Sequence, residues 1–100
     1  MLIKEDDPRL KWYRQGKNPK GIQAACDYIN NYNDFVDKIP PPDLYYNKWP
    51  TSIQEKMRSN WFPYFGKKHG VSGVTVRNRV KGIMRILNIS FEDIRKTEDT

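Results

Sequence analysis

Between positions 73 and 87 the apolar side chains recur at helical spacing. Val76, Val80, Ile83 and Leu87 stand 4, 3 and 4 residues apart, and Met84 widens the stripe. On the opposite side Val74, Asn78, Lys81 and Arg85 repeat the spacing, with Arg77 beside them. One face of such a helix can pack while the other meets solvent or a partner. Ahead of it, 63–69 reads as a short helix that Pro63 can open and Gly70 can close, since glycine readily takes the left-handed backbone that ends a helix. Val71 follows as an apolar plug. Ser72 is then placed to cap the next helix, its hydroxyl accepting a hydrogen bond from a first-turn amide. The pattern predicts a helix, a tight turn and a second helix.

The same reading divides the rest of the chain. Residues 1–7 are expected to fray. Asp7-Pro8 opens a short helix over 8–15 that Gly16 closes. Its Arg9, Lys11, Trp12, Tyr13 and Arg14 mix basic and aromatic side chains that can grip a nucleic-acid backbone, but the favoured expectation packs Trp12 in the core and leaves Arg9 or Arg14 for a phosphate contact. Asn18-Pro19 opens a longer helix to about Lys38. Its Ile22, Ala25, Cys26, Ile29, Tyr32, Phe35, Val36 and Ile39 fall near helical spacing, while Asp27, Asp34 and Asp37 give it an acidic side. Pro40, Pro41 and Pro42 end it, and the connector to Pro50 is stiff and aromatic. Leu44, Tyr45, Tyr46 and Trp49 are expected to fold back on the core. Ser52 and Glu55 form a capping box for a helix carrying Ile53, Met57 and Trp61, which Pro63 breaks or kinks. Asn88 can end the 73–87 helix, and Ser90 caps a last short helix to about Lys96, locked on the core by Phe91 and Ile94. Strand signals are weak throughout. The expected fold is all-α, a small helical domain of about five helices containing a helix-turn-helix. It is read as a single domain over 1–100, with the first helices and proline-rich connector in 1–50 and the basic part in 51–96.

Charge adds direction to this frame. The net charge is +6, and residues 51–100 hold +5 of it, against +1 for residues 1–50. Between Lys56 and Phe91 there are 8 basic residues and no acidic one. A local excess of that kind, centred on the paired helices, suits a polyphosphate partner. A basic membrane-surface helix would want bulky aromatics opposite its charges, where this one has valine, isoleucine and leucine. No apolar run approaches the roughly 20 residues that span a bilayer. Cys26 is the only cysteine, so neither an internal disulfide nor a thiolate metal cluster is available, and a reducing, cytoplasmic setting is expected.

The residues Gly70-Val71-Ser72, followed by Thr75 and Val76, resemble the turn and recognition-helix start of repressors of the lac-repressor type. Gly66 falls where that family wants a small residue for close helix crossing, and Phe65 where it wants an apolar one. The resemblance spans about a fifth of the chain, roughly residues 62–81. It departs at His69, where the family carries something small, and at Arg79, where an apolar residue is common. Gly73 and Val74 stand at two positions that often touch bases in the family, and neither brings a side-chain hydrogen bond.

The leading expectation is a small DNA-binding transcriptional regulator that lays 73–87 in the major groove of double-stranded DNA. Val74, Arg77, Asn78 and Lys81 are the candidate base readers, since arginine can pair bidentately with guanine, asparagine with adenine, and valine can meet a thymine methyl. Lys67, Lys68, Ser72, Thr75, Arg79 and Arg85 are the candidate phosphate contacts. A homodimer is looked for in the N-terminal half, and size and charge are compatible with a phage or plasmid regulator. The alternative is an adaptor or inhibitor that docks the basic face on an acidic protein. No catalytic set, phosphate-binding loop, metal spacing or cofactor signature is read, so no enzyme is expected.

Overall fold

Asn18 accepts a hydrogen bond from the Lys20 amide and Pro19 takes the first helical position, so α1 (Pro19–Phe35) starts where its cap requires. The structure, a computed structural model, describes residues 2–36 and 53–96, and of 53–60 only the backbone. The proline connector, the Ser52 cap, the Ile53 and Met57 side chains and the tail 97–100 lie outside the described residues. A 3-10 turn at Pro8–Leu10 precedes α1. After it come α2 (Ile53–His69), α3 (Gly73–Leu87) and α4 (Phe91–Lys96).

The all-helical class is as expected, but the count is not. Four α-helices are present among the described residues, because two expected boundaries fall differently. Pro63 does not divide α2, which runs through it. Its ring lies against the first residue of α3: a Cβ placed on Gly73 would stand 3.1 Å from Pro63 Cγ. The 8–15 helix is reduced to the Pro8–Leu10 turn, capped by Asp7, whose carboxylate accepts the Arg9 amide. Beyond Leu10 the chain continues in turns rather than a regular helix, the Arg14 amide bonding the Leu10 carbonyl at 3.0 Å.

α1 is the centre of the fold, packed against α2, α3 and α4. It buries two stripes: Ile22, Ala25, Ile29 and Tyr32 on one, continued by Val36 just past its end, and Gly21, Ala24, Tyr28 and Phe35 on the other. Tyr28 has no exposed surface and stacks on Phe62 of α2 at 4.6 Å between ring centroids. Phe35 meets both Tyr28 and Trp61 at 5.0 Å, and Phe65 joins at 5.0 Å from Phe35. Each such pair contributes roughly 0.5–1.5 kcal/mol beyond burial. At the far end Phe91 stacks on Tyr32 at 5.1 Å and Ile94 is buried, which fixes α4. Ser90 and Asp93 cap it reciprocally, each backbone amide donating to the other's side chain.

The N-terminal arm is pinned, contrary to the expectation of fraying. Ile3 is buried, its amide donates to Asn30 Oδ1 at 2.6 Å, and Asn30 Nδ2 donates to the Ile3 carbonyl at 2.9 Å. Trp12 is likewise corrected. It is 75% exposed, and the segment is held instead by fully buried Leu10 and by Tyr13.

Candidate nucleic-acid interface

The turn between α2 and α3 occupies three residues, 70–72, and its chemistry is local. Gly70 adopts φ +77°, which lets the Val71 amide reach back to the Gly66 carbonyl at 2.8 Å. Val71 is half-buried against the core. Gly66 is required here, because a Cβ would meet the Val71 carbonyl oxygen at 2.5 Å. Ser72 Oγ then accepts from the Thr75 amide at 3.1 Å and shares a 2.9 Å hydrogen bond with Thr75 Oγ1. At its other end α3 stops on Asn88, at φ 55°, and the Ile89 amide bonds the Met84 carbonyl at 3.0 Å.

With both ends set, the rotation of α3 follows from its apolar stripe. Val76, Val80 and Ile83 are fully buried and Met84 nearly so. Each full burial contributes roughly 1.5–3 kcal/mol. Turned outward are Val74, Arg77, Asn78, Lys81 and Arg85, all exposed. The helix of 15 residues is about 22 Å long, so this strip runs most of the length of one face.

The remaining candidates separate into other neighbourhoods. Thr75 and Arg79 are half-buried where α3 crosses the start of α1: a Cβ on Gly21 would come within 3.1 Å of Thr75 Cγ2 and 3.6 Å of Arg79 Cγ. Arg79 Nη1 also donates to the Tyr13 hydroxyl at 3.3 Å. Lys67 and Lys68 are exposed at the end of α2, and Ser72 is exposed in the turn. Lys68 Nζ lies 3.3 Å from Asp27 Oδ2, an oxygen that also bonds His69 Nε2 at 2.9 Å. Asp27 Oδ1 takes Asn31 Nδ2 at 2.6 Å. The acidic side of α1 thus clamps the end of α2, and Lys68 would have to leave Asp27 to meet a phosphate. Among the described residues no group of three or more His, Cys, Asp or Glu side chains could hold a metal ion.

A second basic and aromatic patch lies on the segment 8–17; its mixture of residue types was legible in the sequence, but not that Tyr13 rather than Trp12 turns inward. Lys11 Nζ lies 5.6 Å from the ring of exposed Trp12, and Lys17 Nζ lies 4.3 Å from that of Tyr13. Tyr13 covers Gly82 of α3, where any Cβ would collide with the phenol. The signal was Gly82 itself. A glycine inside an otherwise regular helical pattern has a packing reason, and here it is a tyrosine from the other half of the chain. Nearby, a cavity of about 100 Å³ is lined by Glu5, Arg14, Lys17, Pro19 and Ile22, well short of the roughly 300 Å³ of a small-molecule site.

No protein-family model, curated protein or solved structure matches this chain. No described helix is long and apolar enough to cross a membrane.

Proposed function

We propose that this protein is a sequence-reading DNA-binding protein, with α2 from about Pro63 and α3 acting as a helix-turn-helix and α3 entering the major groove. The observation that carries the reading is the composition of the outward strip of α3. It offers two arginines, a lysine, an amide and a valine methyl pair, with no acid among them. Arg77, Asn78 and Lys81 read base edges, and Val74 meets a thymine methyl. Arg85 and Lys67 meet phosphates, as do Ser72 and, after release from Asp27, Lys68. Thr75 and Arg79 serve chiefly to seat α3 on α1 and Tyr13. Regulation of transcription, and a dimer bound to two half-sites, are the natural extension of such a reader.

One observation favours a second reading. Val74 is 64% exposed and Ile86 is 40% exposed, so α3 also offers apolar contacts that an acidic protein partner would cover. Selection from a random duplex pool, followed by salt titration of the selected duplexes, separates the two. The DNA reading predicts enriched sequences and affinity that falls steeply with log salt. Absence of duplex binding at low salt, together with capture of one acidic protein, would favour the adaptor.

A further inference from the structure

Resting on that DNA reading, we propose that Lys11 and Trp12 form a second contact with the same duplex. It is sequence-independent and lies over the sugar–phosphate strand bordering the groove that holds α3. Three observations carry it. Trp12 is 75% exposed, whereas Trp61 is buried, so the ring of Trp12 offers a large apolar face to solvent. Its position is fixed by its neighbours. Leu10 is fully buried, and Tyr13 closes over Gly82 and accepts a hydrogen bond from Arg79. On α3, Asn78, Gly82 and Arg85 form one continuous row, four and three residues apart. Tyr13, the residue next to Trp12, therefore sits beside the Asn78–Arg85 edge of the strip.

Charge names the occupant. Lys11 sits beside Trp12 and is exposed, Lys17 lies on the Tyr13 ring, and Arg14 donates to the Glu5 carbonyl. Asp7 is neutralised by Arg9 at 2.8 Å. A flat apolar ring with the Lys11 ammonium beside it and the Lys17 ammonium on the neighbouring Tyr13 ring suits a deoxyribose face and its phosphates. A groove-bound α3 presents such a strand along its edge.

The test compares wild type, Trp12→Ala, Trp12→Phe and Lys11→Ala by fluorescence anisotropy on a selected duplex and on a random one. Thermal unfolding of the same variants is recorded, and is expected to be unchanged because both side chains are exposed. Trp12→Ala is expected to weaken both duplexes equally, by about tenfold, leaving the preference between them intact. Lys11→Ala is expected to lower the salt slope by about one. The emission present in wild type and lost in Trp12→Phe should be quenched by acrylamide in the free protein and shielded in the complex. Unchanged affinity of Trp12→Ala on both duplexes would overturn the proposal. So would a loss confined to the selected duplex, or a Trp12-dependent change in sedimentation of the DNA-free protein, which would make this face a contact between copies. Wild type that binds neither duplex would instead overturn the DNA reading beneath it.

Discussion

Gly82 and Gly66 show how single missing Cβ atoms set distances in this molecule. Gly82→Ala must push away the Tyr13 phenol, a side chain that can swing at the cost of its hydrogen bond with Arg79. We expect a loss of about 1–3 kcal/mol in urea unfolding, the usual cost of overpacking. Gly66→Ala meets backbone at the turn, the carbonyl of Val71, and cannot be relieved by a rotamer. It is expected to cost more than Gly82→Ala in the same assay; equal or smaller loss would show that the turn yields easily. Cys26 is governed by burial, which pushes its thiol up to about 11, helped by the negative charges of Glu5, Asp7 and Asp27. At pH 8 it should react with an aromatic disulfide reagent only as fast as the protein unfolds. Rapid labelling of the native protein would contradict its place in the core.

Among the elements, α3 was the most legible from sequence, because cap, periodicity and stop agree over 15 residues. Both its buried and outward faces were readable from spacing alone. The 8–15 segment was not. Over so short a stretch, adjacent Trp12 and Tyr13 cannot be phased, and which aromatic turns inward is decided by Gly82 far along the chain. Ile3 was illegible for the same reason, since a lone apolar residue near the start gives no sign of its Asn30 partner. Pro63 misled through a rule that is local, whereas the close approach of Gly73 to its ring is tertiary. Element caps also set the response to acid. Asp7 is held down from 3.8 to about 2, chiefly by the hydrogen bond from the Arg9 side chain, and Asp93 is held below its ordinary value by the Ser90 amide and hydroxyl. Carboxylates that are stronger acids when folded stabilise the fold above their unfolded pKa and lose that contribution as the pH falls through the folded value. Thermal unfolding should therefore fall between about pH 4 and 2. Asp7→Asn should lower the melting temperature at neutral pH and flatten that decline. An identical acid profile in the variant would show that the Asp7 cap does not contribute.

At the scale of the whole molecule, α1 occupies the interior and spends its apolar faces on α2, α3 and α4. What remains outward is divided by charge. Asp27 binds the end of α2, while α3 and the Lys11–Lys17 segment present the basic, partly apolar side. That division is why the candidate site was only half legible. The strip on α3 came from periodicity, while the flank beside it arises only when two distant segments meet. The direct test of α3 as a reader is anisotropy of a selected and a random duplex at two salt concentrations, with wild type and Arg77→Ala/Asn78→Ala. A DNA-reading α3 predicts salt-sensitive binding to both duplexes by both proteins, with the preference for the selected duplex lost in the double variant. Each lost base contact should cost roughly 1–3 kcal/mol on that duplex alone. Equal preference in wild type and variant, or no duplex binding by wild type at low salt, would contradict a DNA-reading α3.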